Sequence, residues 1–207
     1  MRTVLAAALA CVLGLGAISA KTDGFTVLTS EAARRADIAR EPKALPDAML
    51  VDERGLGAGL LERLRRDGRV AVVNFIYTRC VSLCTAMGTE YQRLQSEILQ
   101  RGLADRVRLL SISFDPADTP ERLERYARGM GVEPAVWTFA TAADPAQLRA
   151  LLDAFGIVVI PAPLGQYEHN AAYHVVSAQG RLERIVDLGE TERLLDALRQ
   201  PPAEPAA

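Results

Sequence analysis

An apolar run, Val70-Ala71-Val72-Val73-Asn74-Phe75-Ile76, leads through Tyr77-Thr78-Arg79 to a cysteine pair, Cys80 and Cys84. After the pair, Tyr91, Leu94, Ile98 and Leu99 recur with helical spacing. The run reads as a buried parallel strand and the periodic segment as an amphipathic helix. Two thiols are thereby placed where a strand feeds a helix, at the carboxyl end of a sheet, where open α/β folds keep their sites. A four-residue separation puts both sulfurs on one helix face. The dipole at the helix amino end favours thiolate, the form that binds soft metals and exchanges disulfides, and Arg79 adds positive charge beside it.

The flanking sequence continues the alternation. A strand is expected within Pro46–Val51, a turn at Asp52-Glu53-Arg54-Gly55, and a helix over Leu56–Arg66 that ends at Asp67-Gly68. Beyond strand Arg69–Ile76 and helix Cys84–Gln100 come strand Val107–Phe114, helix Pro120–Gly129 and strand Val136–Ala140. Asp118 and Thr119 can each cap the second of these helices, and Pro120 suits its first turn. Asp144-Pro145-Ala146-Gln147 resembles a capping box opening helix Pro145–Phe155. A glycine- and proline-bearing loop follows from Gly156 to Gln166. Strands Tyr173–Ser177 and Leu182–Val186 flank a hairpin turn at Ala178–Arg181, and helix Glu190–Leu198 closes the pattern. This order argues for an α/β fold, a mixed sheet with helices on both faces, for which a thioredoxin-like core is the compact solution.

Residues 1–20 look like a signal peptide or an uncleaved anchor: Met1-Arg2 starts positive, and Val4 to Ile18 carries no charge. Membrane anchoring would run through residues 4–20. Residues 21–45 read as an extension or linker with a short helix over Glu31–Arg40, residues 46–199 as the thioredoxin-like domain, and residues 200–207 as a disordered tail. The expected location is therefore exported, periplasmic or tethered on the extracytoplasmic side. Cleavage after Ala20 removes Cys11, and losing Arg2 takes the formal net charge from −2 to −3. A mildly acidic chain without a basic stripe excludes nucleic acid as an expected partner. In an oxidising compartment the remaining thiols are either a resting bridge or a maintained dithiol.

Three residues separate the cysteines, where the usual thioredoxin-like redox motif has two. That gap permits a disulfide and also lets both sulfurs converge on one soft ion such as Cu(I) or Zn(II). A third ligand is then needed, and imidazole is the natural candidate. His174 lies inside the strand Tyr173–Ser177, where a satisfied core side chain is expected. His169 lies in the loop Gly165–Asn170, from which an imidazole can reach the sheet end, with Glu168 or Asn170 to orient it. Asp115, ending the strand Val107–Phe114, reads as a loop turn or as an acceptor near the thiols, and Trp137 reads as core.

These stretches resemble the Sco/SenC copper-delivery proteins of the thioredoxin-like superfamily. The resemblance rests on Phe75–Cys80 with Cys84, on Ser113–Pro120, and on His169 to Gly180, and spans roughly Pro46 to Leu198. It places the ligand role on His169, eleven residues before the hairpin glycine. It implies one copper ion per chain, held by Cys80, Cys84 and His169 and delivered to a copper-accepting metalloprotein, with assembly of cytochrome c oxidase as the expected setting. Such a protein is a metallochaperone and not an enzyme. The alternative is a thiol-disulfide oxidoreductase in which Cys80 attacks, Cys84 resolves, and a partner's cysteines are reduced. A thioredoxin-like peroxidase finds no peroxide pocket in the sequence. The chain departs from the family pattern at Val81 and Thr85, where proline usually follows each cysteine. It departs also at Ala117, one residue where two are usual, and at Glu168, where aspartate is usual.

Overall fold

The computed structural model describes residues 14, 29–79 and 83–199. Apart from Gly14, the expected signal or anchor over 1–20 lies outside the described residues, as does the tail over 200–207. The chain divides into two units, residues 1–41 and 42–207. In the first, helix α1 spans Ser30–Arg40. Thr29 caps it by accepting a hydrogen bond from the Ala32 N–H, and Glu31 pairs with Arg34 and Arg35 one turn on.

The second unit is built on an eight-stranded sheet. In chain order its strands are β1 (Lys43–Ala44), β2 (Met49–Asp52), β3 (Gly57–Gly59), β4 (Val70–Ile76), β5 (Val107–Ser113), β6 (Trp137–Ala142), β9 (Tyr173–Val176) and β10 (Arg181–Val186). Across the sheet they run β1-β10-β9-β4-β5-β6-β2-β3. The three central strands β4, β5 and β6 are parallel, and antiparallel strands extend the sheet on either side. Ladder partners share a face. Val72, Leu109 and Trp137 therefore line one face, and Val73, Leu110, Thr138 and His174 the other.

Helices cover both faces. Tyr91 of α3 (Leu83–Gln100) meets Trp137 at 5.7 Å between ring centroids, and Tyr126 of α4 (Pro120–Gly129) meets Phe139 at the same distance. On the opposite face Phe155 of α5 (Pro145–Phe155) packs edge-on against Phe75 at 5.0 Å and His174 at 5.3 Å. The last residue of α2 (Leu60–Asp67) reaches Arg108 on that same face, and Thr191 of α6 (Thr191–Arg199) lies 3.2 Å from the Tyr173 hydroxyl.

Local signals set the helix ends. Thr119, and not Asp118, caps α4 ahead of Pro120. Asp144 caps α5 by accepting from the N–H groups of Ala146 and Gln147. The capping box is half made: the Gln147 amide oxygen instead accepts the Met49 N–H at 2.7 Å and ties α5 to β2. Helix α2 begins at Leu60, later than the sequence suggests, because Gly57–Gly59 pairs with Met49–Val51 as a strand. Its capping residue, Gly59, has no side chain, and Asp47 accepts the Leu61 N–H in its place. Leu99 is 46 % exposed and not part of the buried α3 face, which includes Met87, Tyr91, Leu94, Gln95 and Ile98.

Two further stretches differ from expectation. Lys43–Ala44, within the presumed extension, pairs with Leu182 and Arg181 at the edge of the sheet. The presumed loop Gly156–Gln166 carries strand β7 (Val159–Ala162) and a 3-10 turn (Pro163–Gly165), leading into β8 (Gln166–His169). Strands β7 and β8 form a separate antiparallel hairpin. At the β9–β10 hairpin the expected turn forms around Gly180, whose φ is 78° and whose missing Cβ leaves room for Leu61 of α2.

The foot of the central strands is held by charge. The Asp67 carboxylate accepts from Arg69 Nε at 2.7 Å and from Arg108 Nη1 at 2.7 Å, while Arg69 Nη1 donates to the carbonyls of Ala104 and Ala135. Burial raises the Asp67 carboxyl, but the Arg69 hydrogen bond and the charges of Arg108 and Arg69 outweigh it, and the group sits below its ordinary range. A depressed carboxylate contributes stability that is present above its unfolded pKa and lost as pH falls through the folded one. Asp67→Asn is expected to cost roughly 1–3 kcal/mol at neutral pH, a gap that closes in strong acid; urea unfolding at both pH values checks it.

Candidate metal site at the exit of the central strands

Strand β4 ends at Ile76, and the parallel ladder continues one step, the Phe114 N–H donating to the Ile76 carbonyl at 3.0 Å. The next three residues are each tied to a different part of the fold. The Tyr77 hydroxyl donates to the Tyr167 carbonyl at 3.0 Å and accepts the Tyr167 N–H at 3.2 Å. Thr78 donates to Asp118 from its N–H at 2.8 Å and its hydroxyl at 2.5 Å, and the Ser113 hydroxyl adds a third bond to that carboxylate at 2.6 Å. Arg79 donates from Nε and Nη2 to Asp115 Oδ2 at 3.0 and 2.8 Å.

Both carboxylates are buried, Asp115 at 1 % and Asp118 at 4 % exposure. Asp118 thus holds the strand exit instead of capping α4. Asp115 keeps the turn role read from sequence, accepting the Ala117 N–H at 2.9 Å, and adds the ion pair to Arg79. The Arg79 charge is consequently shared with Asp115. Arg79 also overlies the turn of the β7–β8 hairpin: its Nη1 would lie 3.6 Å from a Cβ placed on Gly165.

His169 is the last residue of β8, not a loop residue, and it is buried. Its ring packs against Phe114 at 5.0 Å and Tyr77 at 6.2 Å, both edge-on, at the same end of the sheet as the β4 exit. Nδ1 lies 3.0 Å from the Asn170 carbonyl, an acceptor, so Nδ1 carries the proton and Nε2 carries the lone pair. Among the described residues Nε2 is buried with no hydrogen-bond partner. Burial holds the imidazole below the usual histidine range, with the Asn170 hydrogen bond opposing it, which keeps the ring neutral at neutral pH. A buried acceptor without a donor costs about 1–3 kcal/mol, a cost that a metal ion at Nε2 would remove.

Asn170 orients the ring through its backbone carbonyl. Its side chain is spent on the hairpin itself, accepting the Val158 N–H and donating to the Gly156 carbonyl. Glu168 is exposed. His174 has a different setting: it is 1 % exposed under α5, against Phe75 and Phe155, with Nδ1 3.2 Å from the Val73 carbonyl. Trp137 is core, its Nε1 donating to Ser111 at 2.9 Å.

Cys84 falls in the first turn of α3, at its amino end. Cys80 lies outside the described residues. Among the described residues no group of three or more His, Cys, Asp or Glu could hold a metal ion, and no helix is long and apolar enough to cross a membrane. The sequence reading passed over Tyr77, Phe114, Asp118 and Tyr167 as parts of this site. Only their long-range pairing marks them, and no spacing rule reports it.

A mixed sheet of this order, with helices on both faces and a strand-to-helix exit beside a buried histidine, defines a thioredoxin-like α/β protein. The chain belongs to the SCO1/SenC family, whose profile matches residues 57–200. The SCO1 protein homolog of Bacillus subtilis (strain 168) is 28 % identical over 125 residues, 59 % of this chain and 63 % of that relative's length. Among solved structures, a SCO1/SenC family lipoprotein from Bacillus anthracis str. Ames superposes with a TM-score of 0.68 at 22 % identity, covering 77 % of this chain and 96 % of the other. Bradyrhizobium japonicum ScoI with copper bound gives 0.61 at 22 % identity, covering 75 % and 98 %.

Removing the Asp118 carboxylate strands three donors, two of them on Thr78. Asp118→Ala is expected to lose about 3 kcal/mol and Asp118→Asn, which keeps one acceptor, less. Urea unfolding within about 0.5 kcal/mol of the parent for Asp118→Ala would show that the clamp contributes nothing beyond an ordinary surface site.

Proposed function

We propose that this chain is a copper-binding accessory protein of the extracytoplasmic space. Cys80 and Cys84, as thiolates, and His169, through Nε2, hold one copper ion and pass it to a copper-accepting metalloprotein such as the dinuclear centre of cytochrome c oxidase. The observation that carries this reading is the Nε2 lone pair of His169, buried, unprotonated and, among the described residues, without a donor, packed beside Tyr77 at the β4 exit. Two residues, Thr78 and Arg79, separate Tyr77 from Cys80, and the three Cα-to-Cα steps span at most about 11 Å. Membership of the SCO1/SenC family supports the same reading. The charge-free stretch Val4–Ile18 behind Met1-Arg2 supports export, with or without retention as a tether.

Two thiolates and one imidazole suit Cu(I), a soft ion content with low coordination. Copper is cargo here, so the site must release it. A low-coordinate site allows an incoming thiolate to displace the ligands one at a time, by the same stepwise logic as thiol exchange. Thiol-disulfide exchange is the second reading, and the position of Cys84 in the first turn of α3 favours it, since the helix dipole stabilises thiolate there.

His169→Ala separates the two. Cu(I) affinity in competition titrations is expected to fall by at least about tenfold, with thiol-disulfide exchange retained. X-ray absorption should find two sulfurs and one nitrogen on the ion in the parent chain. Because burial depresses the His169 pKa, proton competition for Nε2 begins only below the ordinary histidine range. The affinity gap between parent and variant should therefore persist through that range and close at lower pH. Unchanged Cu(I) binding in the variant rejects the ligand assignment.

A further inference from the structure

The β7–β8 hairpin is not hydrogen-bonded into the main sheet. Within the hairpin Tyr167 pairs with Pro161 at a non-hydrogen-bonded position, so its N–H and C=O point away from β7. Both meet one side-chain oxygen, the Tyr77 hydroxyl, which accepts from the N–H and shares its single proton between the Tyr167 carbonyl at 3.0 Å and Gln166 Oε1 at 3.2 Å. The phenol thus stands in for the missing neighbouring strand. Its ring is 2 % exposed and packs against Tyr167 at 5.3 Å, Phe114 at 5.4 Å and His169 at 6.2 Å. His169 lies two residues beyond Tyr167, and side chains two apart on a strand share a face. Whatever fixes the Tyr167 backbone therefore fixes the direction of the His169 ring. Tyr77 is also the first residue after β4, on the segment that leads to Cys80.

We propose that Tyr77 is a positioning residue that couples the histidine to the thiols: by holding both peptide groups of Tyr167, its hydroxyl latches the hairpin to the β4 exit and keeps Nε2 of His169 aimed at the copper position. The latch touches no copper itself. It raises affinity by removing the ordering cost that a loose hairpin would impose on each binding event. The inference rests on the copper reading above for its consequence, and on geometry alone for the latch.

Tyr77→Phe tests it, because the ring and its aromatic contacts stay while the hydroxyl goes. Two readouts are needed. In the metal-free chain, amide hydrogen exchange over 166–169 is expected to quicken about tenfold, the scale of one or two lost neutral hydrogen bonds, with exchange in β5 unchanged. In Cu(I) competition titrations the affinity is expected to fall about tenfold in the parent background and not at all on top of His169→Ala. Unchanged exchange over 166–169 overturns the latch. So does an equal affinity loss in both backgrounds, since Tyr77 would then act on the thiols or on the fold at large. Should the parent chain hold no Cu(I), the copper reading fails, and hydrogen exchange alone decides whether the latch exists.

Discussion

The site depends on how one strand leaves the sheet. Val70–Ile76 is paired along its length with Val107–Ser113, so its end point is set by a fully formed parallel ladder. From that point Tyr77, Thr78 and Arg79 are fastened in turn to the hairpin, to Asp118 and to Asp115. A chain leaving a strand normally loses its hydrogen-bond partners and gains freedom. Here two buried carboxylates and a phenol replace the ladder, and the backbone stays directed until one residue before Cys80. Buried carboxylates are tolerated because each is fully engaged: Asp118 accepts from three donors and Asp115 carries an ion pair and a turn bond.

The two histidines show how burial alone fails to define a role. Both are buried, both lie edge-on to aromatic rings, and both have Nδ1 near a backbone carbonyl. What distinguishes His169 is its address. It sits at the carboxyl end of β4 and β5, on a hairpin attached to the rest of the molecule through Tyr77, whereas His174 is pinned within the sheet opposite Val73. The ligand proposed above thus sits on a hairpin outside the main sheet, fastened to the β4 exit by the Tyr77 hydroxyl.

Where the sequence reading succeeded, the physics was local. Helices Pro120–Gly129 and Pro145–Phe155 have the limits expected of them, because a capping Thr or Asp followed by proline acts within one turn. Strand β4 announced itself by an apolar run broken only at Asn74. The failures are equally instructive. Gly57–Gly59 carries two glycines and one alanine and becomes a strand only because Met49–Val51 is there to pair with it. The β7–β8 hairpin is polar on one strand and proline-bearing on the other, and neither strand has an apolar rhythm to betray it.

By itself the sequence determined the α/β class, the succession of the central strands β4, β5 and β6 with the helices α3, α4 and α5, and the place of Cys84 at a helix start. Each of these follows from periodicity, from capping chemistry within a turn, or from counted spacings along the chain. Tertiary structure decided which groups hold the site: Asp118 turned from helix cap to strand clamp, Arg79 gave its charge to Asp115, and Tyr77 took the place of a neighbouring strand for Tyr167. Those partners are 40, 36 and 90 residues apart. Hydrogen bonds are short-ranged in space and blind to separation along the chain, so only the folded arrangement of strand ends can bring such pairs within bonding distance.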